Sequence, residues 1–322
     1  IIKELQTKEF DKIFIKDNLS SNYLELYGLR IAYHIRLSKE LENKRLVPII
    51  IVSEFDTLTL NKFNKESNIL FTNGIYLCQN TKEDILKYQS LDLKGLYSFK
   101  YAEFLEQISI EKPKDISSNH DISNEWSIYK WAEFLKYESE SITKNRNKIE
   151  NILYFKYLKA LYTKKNSENL EINKPIENGK ILLIDDEWNR GWSDIINAAI
   201  SKEGIEFDTF EYDFKDKSNF NLYMRIQEKI KEFNPDVVIL DLRLSQNDHE
   251  NDEIDTYTGI KILEKIHNIN AGIQVIMLTA TSKSTILEKL YEKKILGYIK
   301  KEHPEDRTID TVENINKFIQ LV

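Results

Sequence analysis

The sequence has little cysteine and no long apolar run. Its 322 residues include a single cysteine, Cys78, which excludes an intramolecular disulfide and a multi-cysteine zinc site. No window approaches the roughly 18 consecutive apolar residues of a membrane helix, and the first residues lack a signal-peptide pattern. We therefore expect a cytoplasmic protein without a membrane span.

An excess of basic charge is also missing. The formal charge is −7 with a pI near 5.5, which argues against a nucleic-acid-binding surface over the whole protein. The acidic excess lies entirely in residues 177–322, whereas residues 1–176 are close to neutral. Because the chain is long for one compact domain, we expect two or three domains.

Glycine is absent from residues 96–178, and this absence predicts a helical segment. A polar stretch at 167–179 that contains Pro175 is the expected linker after it. The predicted domains are therefore 1–98, an α-helical connector at 99–176, and 177–322. Residues 144–165 are basic with interleaved aromatic residues, but an amphipathic helix with a solvated lysine face is favoured over a nucleic-acid-binding site.

The C-terminal segment alternates apolar runs with amphipathic stretches. Three short continuous apolar runs are typical of strands covered on both faces of a parallel sheet: 181–184, 237–240 and 275–278. Four stretches have helical spacing: 191–202, 219–233, 259–268 and 283–294. The order predicts a doubly wound, parallel, five-stranded α/β domain whose functional groups gather at the carboxyl ends of the strands.

Charged and hydroxyl side chains follow the predicted strands. Asp185 and Asp186 follow the first run, Asp241 the second and Thr279 the third, and Lys301 follows the last strand. Converging carboxylates repel one another unless a cation neutralises them, and Mg²⁺ prefers such oxygen ligands. A hydroxyl and a lysine beside them suit a phosphoryl group carried on one carboxylate.

Five motifs with this order and spacing resemble the receiver domain of two-component response regulators: ILLIDDE, PDVVILDLRLS, TGIKILEKIH, VIMLTAT and GYIKKE. The similarity covers about residues 180–322. It implies that Asp241 is the phosphoacceptor and that Thr279 and Lys301 bind the phosphoryl oxygens. The implied Mg²⁺ ligands are Asp185, Asp186, Asp241 and the backbone carbonyl of Arg243, and the implied aromatic switch is Tyr298.

Two features depart from the receiver pattern. An acidic insertion at 246–257 lies beside the predicted site; a lid or docking loop and a solvated insertion are both open interpretations, and a calcium site lacks the required glycine and terminal glutamate. Glu302 stands where proline commonly follows the lysine, which we expect to alter the final turn and leave the chemistry intact. Trp188 and Trp192 are expected to be packing residues.

The N-terminal segment resembles a second, degenerate copy of the same fold. Four stretches match in order: 11–20 with 236–245, 27–36 with 258–267, 47–53 with 273–279, and 74–78 with 297–301. In this alignment Lys16 takes the phosphoacceptor position and Cys78 that of the phosphate-binding lysine. A first strand with an acid pair is missing, so we expect that strand to precede Ile1, to be replaced from elsewhere or to be disordered.

The resemblance predicts a response regulator that accepts a phosphoryl group from a sensor histidine kinase or phosphotransfer protein. It would have no enzymatic activity beyond this self-phosphotransfer and its own dephosphorylation, and it would switch its affinity for an unknown effector. The connector would serve output or homodimerisation. Two alternatives are a non-phosphorylated adaptor and a haloacid-dehalogenase-like phosphohydrolase, although the latter needs an acid where Arg243 stands. His120 faintly resembles a sensor-kinase histidine, but a loop histidine that starts a helix is favoured.

Overall fold

A computed structural model describes most of the chain: residues 1–22, 25–63, 65–112, 119–162, 178–214, 219–245, 248, 253–281, 284–304 and 311–322. Contacts group the chain into an N-terminal unit, residues 1–116 with 150–166, and a C-terminal unit, residues 117–149 with 167–322. Helices of the predicted connector belong to both units, and the predicted boundaries at 98 and 176 stay a prediction. The predicted linker lies almost wholly outside the described residues.

The C-terminal unit contains the predicted five-stranded parallel sheet. Its strands are β4 (Gly179–Ile184), β5 (Ile205–Thr209), β6 (Val237–Asp241), β7 (Gln274–Thr279) and β8 (Gly297–Lys300). The strand order is β5-β4-β6-β7-β8, and all neighbours are parallel. Alternate strand residues point to opposite faces. Leu182 and Ile184 therefore lie in one buried cluster, whereas Ile181 and Leu183 lie in the other.

Helices cover both faces of this sheet. They are α9 (Trp192–Ile200), α10 (Asn219–Phe233), α11 (Thr258–Ile269), α12 (Ser284–Glu292) and α13 (Thr311–Leu321). Side chains of α10, α11 and α12 share the cluster of Leu182, and those of α9 and α13 share the cluster of Ile181. The apolar spacing read from the sequence is what buries one stripe of each helix.

Two further helices pack against α9 and α13: α6 (Asn119–Leu135) and α7 (Glu140–Asn151), of which residues up to Ile149 belong to this unit. The Trp131 ring lies 5.8 Å from that of Trp192 and 5.6 Å from that of Phe318. Gly191, just before α9, has a φ of 130°, and a Cβ there would meet Ile128 on α6 at 3.0 Å. A glycine is therefore needed where this helix pair approaches the start of α9.

The N-terminal unit is a smaller α/β structure. Its sheet has the order β1-β2-β3, with parallel strands β1 (Ile13–Lys16), β2 (Ile49–Ser53) and β3 (Ile75–Gln79). Its helices are α1 (Ile2–Thr7), α2 (Tyr27–Leu37), α3 (Thr57–Phe63), α4 (Lys82–Ser90), α5 (Tyr101–Gln107) and α8 (Leu153–Tyr162). The predicted receiver-like α/β fold is confirmed. None of the described helices in either unit is long and apolar enough to span a membrane.

Candidate functional site

The strand ends of the C-terminal unit bring the predicted site residues together. Asp241 ends β6, next to β4, which is followed by Asp185. Thr279 ends β7 and pairs with Lys300, so Lys301 follows at the same edge. Ligand oxygens of Asp185, Asp186 and Asp241 all lie within 4.8 Å of one another. Parallel pairing thus carries residues more than 100 positions apart in the sequence into one cluster.

Lys301 lies between two buried carboxylates. Its Nζ is 3.0 Å from Asp185 Oδ2 and 2.7 Å from Asp241 Oδ2, and all three side chains are 1% exposed or less. Burial alone would lower the pKa of Lys301, but the carboxylates of Asp185 and Asp241 outweigh it and hold the pKa above its ordinary value. Burial raises the pKa of Asp185, against the opposing effect of Lys301.

The remaining acids of the site fit a divalent cation. Burial, together with the charges of Asp185 and Asp241, raises the pKa of Asp186 to about 9. Burial likewise raises the pKa of Glu187 to about 7, although Lys301 and Arg190 oppose the shift. Among the described atoms, Asp186 Oδ1 and Glu187 Oε2 are buried without a hydrogen-bond partner. Carboxylate oxygens that lack donors and are costly to ionise suit a hard cation such as Mg²⁺.

Backbone N–H groups two residues further on hold three of the strand-end side chains. The N–H of Glu187 donates to Asp185 Oδ1 at 2.8 Å, and that of Arg243 to Asp241 Oδ1 at 3.3 Å. The N–H of Thr281 donates to Thr279 Oγ1 at 3.1 Å. Such local bonds orient each side chain at the turn that follows its strand. The roles of these residues, including the Arg243 carbonyl, stay a prediction.

Tyr298, the predicted switch residue, lies on β8 and is half-buried. Its ring makes an edge-on contact with Tyr291 at 5.8 Å between centroids, and Lys317 Nζ lies 4.4 Å from its centroid. These contacts place it between α12 and α13. Its switching role stays a prediction.

The acidic insertion is anchored by one of its own acids. Asp248 is 4% exposed, and its carboxylate accepts hydrogen bonds from the backbone N–H groups of Leu244, Ser245 and Thr258 and from the Thr258 hydroxyl, at 3.0 to 3.1 Å. Asp248 therefore ties the two ends of the insertion together, so at this position a fully solvated side chain is the wrong interpretation. Glu250 and Asp252 lie outside the described residues.

Glu302 and Trp192, which lie beside the site, make contacts that the sequence does not predict. The sequence predicts that Glu302 only alters the final turn, but Glu302 is buried, and its carboxylate accepts a hydrogen bond from Trp131 Nε1 on α6 at 3.1 Å. Trp192 packs in the core as expected, but its ring also lies 5.2 Å from Lys301 Nζ. No sequence signal links α6 to residue 302, which is 171 positions away from Trp131. The side chain of His120 lies outside the described atoms.

The N-terminal unit repeats the backbone of the site edge. Three pairs of equivalent hydrogen bonds establish the correspondence: Asp17 N to Val52 O with Leu242 N to Leu278 O, Gly28 N to Asp17 O with Gly259 N to Leu242 O, and Asn80 N to Ser53 O with Lys301 N to Thr279 O. Lys16 therefore corresponds to Asp241, as predicted. The lysine position is taken by Asn80, however, and the assignment of Cys78 was wrong by two residues.

Comparison with protein families agrees with this division of the chain. Residues 181–313 match the family described as "Response regulator receiver domain", and residues 1–78 match the family described as "Inactive Receiver domain". Residues 181–313 belong to the response regulator receiver family. Receiver domains are generally signalling modules without enzymatic activity and typically bind Mg²⁺. The receiver domain therefore contains the five-stranded sheet of the C-terminal unit. The three-stranded sheet of the N-terminal unit belongs to an inactive receiver domain.

Each of three solved structures matches 45% of the chain. A two-component response regulator of the LuxR family from Aurantimonas sp. SI85-9A1 is 19% identical over 86% of its own chain, with a TM-score of 0.31. The chemotaxis response regulator CheY4 of Vibrio cholerae is 14% identical over its whole chain, with a TM-score of 0.31. NtrX from Brucella abortus is 16% identical, but only 27% of its chain is matched, with a TM-score of 0.31. No curated protein is significantly similar in sequence.

Proposed function

We propose that this chain is a response regulator that accepts a phosphoryl group on Asp241. The observation that carries the proposal is the contact of Lys301 Nζ with both Asp241 and Asp185, beside the acid Asp186. A nucleophilic carboxylate, a fixed cation and donor-poor acids that suit Mg²⁺ supply the charge neutralisation that phosphoryl transfer requires. A sensor histidine kinase or a phosphotransfer protein is the proposed donor.

In the proposed transfer, an oxygen of Asp241 forms a bond to phosphorus while the bond between phosphorus and the donor's imidazole nitrogen breaks. The bonding electron pair stays with the imidazole, which then takes a proton from water. Asp185, Asp186, Asp241 and the Arg243 carbonyl would hold Mg²⁺, whose charge would neutralise the phosphoryl oxygens. Lys301 and the Thr279 hydroxyl would then donate hydrogen bonds to those oxygens.

Intact-mass measurement with acetyl phosphate and Mg²⁺ tests this proposal. We expect the wild-type chain to gain one phosphoryl group and Asp241→Asn to gain none, because an amide oxygen does not replace the carboxylate as nucleophile. Asp208→Asn is the matched control: Asp208 lies on β5 and pairs with Lys229 at 2.5 Å, outside the carboxylate cluster, so uptake should persist. An undiminished gain in Asp241→Asn would contradict the assignment.

One observation favours a second candidate, a binding adaptor that is never phosphorylated. Lys301 Nζ donates hydrogen bonds to the carboxylates of both Asp185 and Asp241, so a protein side chain supplies part of the positive charge that Mg²⁺ would otherwise supply. If the wild-type chain neither takes up phosphoryl nor binds Mg²⁺, the adaptor is the better account. The phosphohydrolase alternative is disfavoured, because residues 181–313 match the receiver family and Arg243 occupies the position where that enzyme class needs an acid.

A further inference from the structure

Helix α6, which lies outside the part of the chain that matches the receiver family, meets the receiver domain along one face. Three of its residues, Asn124, Ile128 and Trp131, recur at helical spacing and are all buried. Ile128 and Trp131 belong to the same apolar cluster as α9 and α13. The polar groups of this face are Asn124, Ser127 and the Trp131 N–H, and the apolar packing holds them at fixed positions beside the phosphoryl site.

Helix α6 makes three hydrogen bonds to Glu302, the residue directly after Lys301. The Ser127 hydroxyl accepts a hydrogen bond from the Glu302 N–H and donates one to the Glu302 carbonyl oxygen at 3.2 Å. Trp131 Nε1 donates to Glu302 Oε1, and Thr311 on α13 donates to Oε2 at 2.8 Å. Both the backbone and the carboxylate of Glu302 are thus bound, and this fixes the direction from which the Lys301 side chain enters the site.

A second contact to Lys301 comes from Trp192 on α9. Trp192 is fully buried, and its ring centroid lies 5.2 Å from Lys301 Nζ. The Nε1 of the same ring donates a hydrogen bond to Asn124 Oδ1 on α6 at 2.9 Å. Because a cation over an indole ring is attracted to it, a displacement of Lys301 is felt by Trp192 and through it by Asn124.

Phosphorylation would change the partners of Lys301. When one oxygen of Asp241 is bonded to phosphorus as an acyl phosphate, the carboxyl group no longer carries a charge, and the negative charges lie on the phosphoryl oxygens instead. Resting on the proposed function, we propose that Glu302 is a positioning residue that couples helix α6 to the phosphoryl site through Lys301. The coupling is reciprocal: α6 sets the position of Lys301 for phosphoryl uptake, and the phosphorylated site alters the docking of α6. Helix α6 is then the element that transmits the state of Asp241.

Hydrogen exchange of the full chain with and without beryllofluoride and Mg²⁺ tests this coupling. In the wild type we expect beryllofluoride to change the exchange rates of peptides from α6 as well as those of the site. In Ser127→Ala the change in α6 should shrink by about fivefold or more, because the link to Glu302 is weakened. Ser123→Ala is the matched control: Ser123 is a buried serine one turn earlier, with no hydrogen bond to Glu302 among the described contacts, and should respond like the wild type.

The readout is the difference that beryllofluoride makes, which a merely structural weakening of α6 would not remove. Should Ser127→Ala fail to fold, Trp131→Phe keeps an aromatic ring in the core and removes only the N–H that reaches Glu302. Phosphoryl uptake on Asp241 without any change in α6, or equal changes in the two serine variants, would overturn the coupling and leave the proposed function standing. A chain that takes up no phosphoryl would instead overturn the proposed function.

Discussion

The receiver domain and the inactive receiver share a backbone frame but differ in the chemistry mounted on it. In both units a glycine at the start of a helix packs on the strand-end backbone: a Cβ on Gly28 would lie 1.9 Å from Lys16 O, and one on Gly259 would lie 2.4 Å from Asp241 O. The equivalent of Asp241 is Lys16, and that of Lys301 is Asn80. Apolar strands and close glycine packing therefore maintain this edge without the reactive groups.

Burial distinguishes the two edges as clearly as residue type does. Asp241 and Lys301 are buried, whereas Lys16 and Asn80 are exposed. At this edge of the inactive receiver the acid Asp17 is buried, and its Oδ2 accepts a hydrogen bond from the Ser53 hydroxyl. A buried charge needs a buried partner, and a hydroxyl satisfies a single acid where the receiver domain needs a lysine for its group of acids.

Removal of that lysine should have the largest effect on stability. In Mg²⁺-free solution we expect Lys301→Met to destabilise the C-terminal unit by about 3–5 kcal/mol, because it leaves Asp185 and Asp241 buried without a cation. Asn80→Met should cost less than about 0.5 kcal/mol, since Asn80 is exposed. Denaturation followed by tryptophan fluorescence measures the first variant, because all four tryptophans lie in the C-terminal unit. Equal stabilities of Lys301→Met and the wild type would contradict the account.

The second prediction separates the two units by their response to acid. Burial, helped by Lys156 and Arg30, lowers the pKa of His34 in the N-terminal unit to about 4. Its folded pKa is below the unfolded value of about 6.5, so its contribution to stability is complete above pH 6.5 and is lost as the pH falls through 4. From pH 7 to pH 5 the loss should be about 2 kcal/mol.

The buried acids of the receiver domain change its stability with pH in the opposite direction to His34. Without Mg²⁺ the folded pKa of Asp186, about 9, exceeds its unfolded value, so its contribution is present at low pH and is lost as the pH rises. Urea denaturation resolved by hydrogen exchange should therefore show that acidification weakens α2 peptides but not β4 peptides. His34→Asn should abolish the α2 response, and an unchanged response in that variant would contradict the assignment to His34.

The smallest effect is expected from removal of the two equivalent hydroxyls, Thr279 in the receiver domain and Ser53 in the inactive receiver. Thr279→Ala should slow phosphoryl uptake by about tenfold or more, because a donor to the phosphoryl oxygens is lost. Ser53→Ala, the same change in the inactive receiver, should leave uptake unchanged and cost about 1 kcal/mol through its lost bond to Asp17. Time courses with acetyl phosphate measure the rates, and equal slowing in both variants would show that the two edges do not differ as proposed.

The strands and the site cluster could be predicted from the sequence because short apolar runs fix the strands and parallel pairing places their ends together. The register of β3 could not. A slip of two residues keeps every side chain on its own face, so the alternation cannot distinguish Cys78 from Asn80. An alignment of Gly74 with Gly297 predicts the wrong register, because Gly74 precedes β3, with a φ of 79°, whereas Gly297 is the first residue of β8.

The role of Glu302 was beyond the sequence for a different reason. Its partners Ser127 and Trp131 belong to a helix with no motif of its own, and only the packing of α6 on α9 and α13 brings them near. The anchoring of the insertion by Asp248 was hidden in the same way among neighbouring acids that share its charge. Tertiary contacts of single polar residues leave no periodic trace.

We propose that one strand-end edge of this chain, that of Asp241, is phosphorylated and that its counterpart in the inactive receiver is not. Peptide mapping of the wild-type chain after incubation with acetyl phosphate and Mg²⁺ tests it most directly. The account predicts one phosphoryl group per chain, carried by the peptide that contains Asp241, and none on the peptide that contains Lys16 and Asp17. A phosphoryl group on the N-terminal peptide, or none on the Asp241 peptide, would contradict it.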